Sequence, residues 1–172
     1  MERIINPEEM NVSKWSGGTT TQISIYPENS SYANRDFIFR ISTASVDLDE
    51  SDFTHLPDYD RLIASVSGKM ELSHSNGRSF TVEPFSSVYH FDGGIDTHCI
   101  GRAVDLNLML KKNLAKGEIK LLNIGEKTEL KLSSNETAVA YNTDSHSAVF
   151  MQDGTFSILP TARTALFIVT LL

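Results

Sequence analysis

The run Ala103-Val104-Asp105-Leu106-Asn107-Leu108-Met109-Leu110 is apolar at every even position and carries Asp105 and Asn107 at odd ones. A two-residue period of this kind belongs to a β-strand with one face in a core. Similar stripes recur in Phe37-Ile38-Phe39-Arg40-Ile41-Ser42 and in Thr19-Thr20-Thr21-Gln22-Ile23-Ser24-Ile25. Their polar members are Asp, Asn, Arg, Ser and Gln, which make short directional hydrogen bonds. Several such stripes facing inward would line a polar pocket, so the pattern predicts a ligand-binding β-barrel. For Thr19 to Ile25 either alternating set could point inward, and the facing stays open.

Helical periodicity is scarce. One helical turn is expected at Pro7-Glu8-Glu9-Met10 and another in the connection from Leu110 to Lys116. Elsewhere short β runs are separated by Asn76-Gly77, Asp92-Gly93-Gly94 and Asp153-Gly154, read as turns because glycine tolerates positive φ. Strands at this spacing suggest a sandwich or barrel. There is also a weak internal repeat. Phe80-Thr81-Val82-Glu83-Pro84 lies on Phe156-Ser157-Ile158-Leu159-Pro160, which places Leu62-Ile63-Ala64 on Ala138-Val139-Ala140 and Phe91 on Phe167. Two copies of one β unit joined near Lys111 to Lys120 would explain it; so would a chance likeness between hairpins. The first copy holds the polar stripes and the second ends in the apolar segment Thr164 to Leu172, so the pocket is expected in the first half.

Composition narrows the partners. The chain has 172 residues, 40% hydrophobic and 22% charged, enough for a proper core in one large or two fused small domains. A formal charge of −7 argues against nucleic acid as a partner. It leaves room for an anionic small molecule, since a pocket can hold local positive charge. The single cysteine, Cys99, has no internal disulfide partner and reads as a buried inert thiol. No basic-then-apolar leader follows Met1, and the longest apolar stretch, near Ala165 to Leu172, is too short to span a bilayer. A cytoplasmic protein without membrane contact is expected.

Among candidate groups, Arg40 sits between Phe39 and Ile41 and needs a partner if buried. Asp105 could bridge it, or a ligand carboxylate could take its paired donors; the two are compatible. Asn107 shares a face with Asp105, and Met109 would continue it as an apolar wall. Ser42 lies two residues beyond Arg40. Thr21 and Gln22 are placed near the mouth, Arg61 at the rim as an ion pair or a ligand contact, and Trp15 as core or lid. His90 could donate to a ligand, with its facing open. The five histidines, His55, His74, His90, His98 and His146, contain no His-x-His pair to aim two imidazoles at one ion. His90, His98 and Asp96 could converge across the Asp92-Gly93-Gly94 turn, but no metal and no other cofactor is expected. No nucleophile elbow or phosphate loop appears, and no catalytic residue is assigned.

Trp15-Ser16-Gly17-Gly18-Thr19-Thr20-Thr21-Gln22-Ile23 resembles the opening of HutD/Ves proteins. Three further blocks resemble that family in order: Phe39 to Ala44, Leu56 to Leu62, and Phe91-Asp92-Gly93-Gly94 through Met109. The sequence departs from the commoner pattern in its shortened glycine loop and in Gln22, which stands where an acid is usual. The resemblance implies an all-β double-barrel cupin with little helix. Residues 1–112 would form the pocket-bearing barrel and residues 113–172 a shorter cupin-like half packed against it as one unit. It also implies an association with histidine utilisation. The expected function is metal-independent binding of a small polar or carboxylate metabolite with a regulatory role. The alternatives are a metal-independent isomerase or hydrolase using Asp105 or His90, and an interaction protein with a vestigial pocket. A homodimer through sheet edges is open.

Overall fold

A computed structural model describes residues 1–172. It is all-β, with fifteen strands: β1 Glu2–Ile5, β2 Asn11–Trp15, β3 Gly18–Tyr26, β4 Phe39–Val46, β5 Glu50–Asp52, β6 Tyr59–Ser67, β7 Met70–His74, β8 Ser79–Val82, β9 Tyr89–Asp92, β10 Thr97–Ile100, β11 Ala103–Lys111, β12 Ala115–Leu122, β13 Thr128–Asn142, β14 Ala148–Ile158 and β15 Thr164–Leu171. The one helical element is the expected turn, a 3-10 helix at Pro7–Glu9. No helix is long and apolar enough to cross a membrane.

The strands form three sheets, with named strand pairs all antiparallel. Their orders are β2-β3-β4-β11-β6-β9, β5-β10-β7-β8 and β1-β14-β13-β15-β12. The six-stranded sheet lies between the other two. Its even-numbered β11 residues Leu106, Leu108 and Leu110 join Phe39, Ile41, Leu62 and Ala64 in one core with Val139, Tyr141, Phe167 and Val169 of the five-stranded sheet. On the opposite face, Ile63 and Ala103 pack with Met70, Leu72, Val82 and Cys99 against the four-stranded sheet. The period read in Ala103 to Leu110 is therefore a choice between two interiors, since its odd members are also buried.

The apolar run in β15 has a similar cause. Phe167 and Val169 face the shared core, while Leu166 packs on the other side with Leu122, Leu130, Ala138 and Met151. Strands covered on both faces read as continuous apolar runs. The first strand also joins this sheet, with Glu2 to Ile5 pairing Met151 to Ala148 of β14.

Two local expectations change. The segment after Leu110 is a tight turn rather than a helix: Asn113 adopts φ 65° and the Leu114 amide donates to the Lys111 carbonyl at 3.1 Å. Asp153-Gly154 does not end a strand. β14 continues through it, with a register shift against β13 between Leu132 and Thr137, so the pair marks an irregularity in a long hairpin. The Asn76-Gly77 turn joins β7 to β8 as expected, with Gly77 at φ 84°.

Phe167 is fully buried between the five- and six-stranded sheets. Phe167→Ala should cost about 3–5 kcal/mol, read as a lower denaturant midpoint at unchanged m-value. A loss under about 1 kcal/mol would show that the sheets do not share this core.

Candidate functional site: a cavity with two buried arginines

A cavity of about 280 Å³ opens on the face of the six-stranded sheet turned away from the shared core. Strand register builds its wall. Ser42 stands opposite Asn107, and Arg40 opposite Met109, across β4 and β11. Arg61 faces Met109 from the other side, and Asp105 lies between Ala44 and Ser65. One parity on three neighbouring strands thus brings Arg40, Ser42, Ala44, Arg61, Asp105, Asn107 and Met109 together. Of these side chains, Arg40, Arg61, Asp105 and Asn107 are each only 5% exposed.

Arg40 Nε donates to Gln22 Oε1 at 2.8 Å, and its Nη1 donates to Ser42 Oγ at 3.4 Å. Its guanidinium carbon also lies 4.4 Å from the centre of the Tyr32 ring. Arg61 Nη1 donates to the Thr54 carbonyl at 3.3 Å, and its guanidinium sits 4.9 Å from the Phe53 ring and 5.6 Å from that of Phe91. Neither guanidinium is in salt-bridge contact with a carboxylate. The anticipated Arg40–Asp105 bridge is therefore absent, and Arg61 is a buried wall residue rather than a rim ion pair. Aromatic rings and amide or hydroxyl oxygens stand where carboxylates could have been.

The charge state of the wall follows from this. Burial pushes the Asp105 carboxyl up to about 7, against the opposing pull of Arg61, the Ala44 backbone and Arg40. Burial also lowers Arg61, to about 10, and Arg40, without discharging either at neutral pH. Two fixed cations face one buried acid that readily keeps its proton, while the lining's other acid, Asp52, is exposed and paired with His98. On a chain of net charge −7 this is a local positive centre.

The remaining predicted residues separate by parity. Gln22 reaches Arg40, and its same-face neighbour Thr20 lines the cavity. Thr21 does not: with Thr19, Thr43 and Ser45 it lines a second cavity on the far side of the sheet. Trp15 lines the mouth and is 40% exposed, so it caps the opening rather than packing in the core. Its ring lies over Gly17, where any Cβ would collide with it. His90 pairs with Leu62, whose parity turns toward the shared core, and it is exposed 3.9 Å from Asp60. It lies outside the cavity lining. Sequence reasoning missed Tyr32 and the segment Ser51 to Thr54, which also line the cavity. They come from a loop and an edge strand, where no period marks a facing.

The donor set does not fit a metal. No group of three or more His, Cys, Asp or Glu side chains is placed to hold an ion. Within the cavity, two guanidiniums would repel a cation. His98, on a different sheet from His90, contacts Asp52 at 2.8 Å and Glu50 at 3.4 Å, and His74 is buried between Thr97 Oγ1 and Tyr89 OH, both at 2.8 Å. Cys99 is buried, and burial pushes its thiol up to about 11, which suits an inert core residue.

The family model described as HutD matches residues 7–168. No curated protein matches the chain. A conserved protein of unknown function from Pseudomonas aeruginosa PAO1 superposes with a TM-score of 0.80 at 17% identity, covering 99% of this chain and 98% of its own. HutD from Pseudomonas fluorescens SBW25, in a formate condition, gives a TM-score of 0.79 at 17% identity over 100% of both chains. The bacterial pirin YhhW from Escherichia coli, in complex with nickel(II), gives 0.65 at 7% identity over 99% of both. At these identities the likeness is one of fold, and that fold is cupin-like.

The raised Asp105 pKa has a definite sign in stability. Unfolded, the carboxyl ionises near pH ~4; folded, it keeps its proton to about 7. The native state binds more protons between those values, so stability falls as pH rises from about 4 to about 7, by at most ~1.4 kcal/mol per pH unit. Asp105→Asn should remove this decline, measured by denaturant unfolding across that range. An unchanged slope in the variant would show that other groups set it.

Proposed function

The chain belongs to the HutD family, and on that premise we propose that it is a cupin-type binding protein whose cavity takes a small carboxylate metabolite. One observation carries the reading: Arg40 and Arg61 are both buried against the same cavity with no carboxylate in salt-bridge contact. A guanidinium presents paired donors that match a carboxylate, and such charge-assisted pairs are strong where water is excluded. Arg40 and Arg61 hold the carboxylate, Gln22 and Ser42 hold Arg40, and Asn107 reads the polar edge of the ligand. Trp15 closes the mouth.

Binding proceeds without a metal, in keeping with a cavity whose two strongest groups are cations. The chain comprises two cupin-type β halves, the first carrying the pocket. Its role is to report or buffer the level of a histidine-breakdown intermediate in the cytoplasm, as the family's association with histidine utilisation suggests. Asp105 favours a second reading, a metal-independent isomerase or hydrolase. A buried acid with a pKa of about 7 is suited to proton transfer. Turnover of a bound acid, lost in Asp105→Asn, would distinguish it from binding alone.

Thermal unfolding of the wild type and Arg40→Ala tests the binding reading against histidine, urocanate, formiminoglutamate, formylglutamate, glutamate and formate, with and without chelator. A ligand specific for the native state should stabilise the wild type by about 2.7 kcal/mol at a hundred times its dissociation constant. The expected result is stabilisation by one of these acids, lost in Arg40→Ala and indifferent to chelator. No stabilisation by any of them would overturn the carboxylate reading, and destabilisation by chelator alone would point to a metal.

A further inference from the structure

Three buried side-chain atoms of the cavity wall have no hydrogen-bond partner: Arg61 Nε, Asp105 Oδ1 and Asn107 Oδ1. Leaving a buried polar atom unpaired costs free energy, so such atoms are rare and each needs a reason. Three on one cavity wall describe what an occupant brings. Arg61 Nε is a donor and needs an acceptor. Asn107 Oδ1 is an acceptor and needs a donor, and Asp105 Oδ1 is one too once its carboxyl is ionised, above its raised pKa of about 7. Asp105 and Asn107 share one face of β11, two residues apart, so a single group on the ligand can address both.

A plain carboxylate answers only half of this. It offers acceptors alone, satisfying Arg61 while setting its own lone pairs beside the unpaired oxygens. An ammonium donor would satisfy the oxygens but would sit among two guanidiniums. The complement is therefore an anion with a neutral donor close by. Resting on the carboxylate reading above, we propose that the cavity selects acids carrying a neutral N–H or O–H donor near the carboxylate, such as 2-hydroxy acids or N-acylamino acids. The carboxylate goes to Arg40 and Arg61, and the donor to Asp105 and Asn107. A volume of about 280 Å³ is at the small end for ligand pockets and keeps the two groups close together.

Calorimetric titration of the wild type at about pH 8.5, where Asp105 is ionised, with two isosteric pairs tests this. Glycolate and propionate differ by O–H against CH3, and N-acetylglycine and levulinate by N–H against CH2. In at least one pair the donor-bearing acid should bind roughly ten- to a hundredfold tighter, and the responsive pair identifies the donor as O–H or N–H. Asp105→Ala should lower that ratio about threefold or more, since one of the two acceptors has gone and Asn107 keeps the other. Should circular dichroism show Asp105→Ala unfolded, Asn107→Leu is read in its place. Equal binding within both pairs would overturn the donor requirement while leaving the carboxylate site intact. A full ratio retained in the folded variant would overturn the assignment to these acceptors. Failure of all four acids to bind would overturn the carboxylate reading itself.

Discussion

A guanidinium does not shed its charge on burial, so the structure around Arg40 and Arg61 has to be arranged for two cations. Nearly every unusual feature of the first half follows from that. Gln22 and Ser42 supply oxygens to Arg40; Thr54 supplies a backbone carbonyl to Arg61. Tyr32 and Phe53 lay ring faces against the guanidinium planes, a contact that tolerates charge without neutralising it. Asp105, which could have neutralised one of them, is instead driven by burial toward its protonated form. The buried wall is held positive by keeping ionised carboxylates off the guanidiniums as much as by the presence of cations, the lining's other acid, Asp52, being exposed and paired with His98.

That arrangement depends on the sheet behind it. β4, β6 and β11 alternate between an apolar face in the shared core and the face that carries the site. A one-residue slip would drive the guanidiniums into the core containing Phe167 and release Leu108 into the cavity. Register is held by the five-stranded sheet, which packs on the apolar parity alone. The second half contributes no residue to the cavity lining, yet its packing fixes the lining's orientation.

How much of this was legible depends on whether facing left a mark in residue type. In Ala103 to Leu110 it did, because leucine alternates with Asp105 and Asn107, and the strand behaves as read. In Thr19 to Gln22 it did not, because threonine occupies both faces; only the structure separates Thr20 from Thr21. Arg40 betrayed itself by standing between Phe39 and Ile41. Arg61, next to Asp60, looked like a surface pair, and its burial depends on Phe53 and Phe91, which are distant in sequence. The Asp153-Gly154 dipeptide misled for a related reason. Glycine marks irregular backbone, and a bend within a long strand leaves the same trace as a turn between two. The cupin-like fold came through the ordered family blocks, whereas the joining of β1 to the last sheet carries no local signal at all.

That first strand also constrains how the molecule comes into being. Glu2 to Ile5 have as partners Met151 to Ala148, so β1 can find its place only once β14 has been made. Pairings so far apart in sequence delay folding, because closing the long loop costs entropy before any contact is gained. The pocket-bearing strands are complete by Lys111, but their apolar faces wait for β12 to β15 to cover them. During synthesis, then, a nearly finished site stands on an uncovered hydrophobic sheet, and that interval is when the chain is most exposed to aggregation.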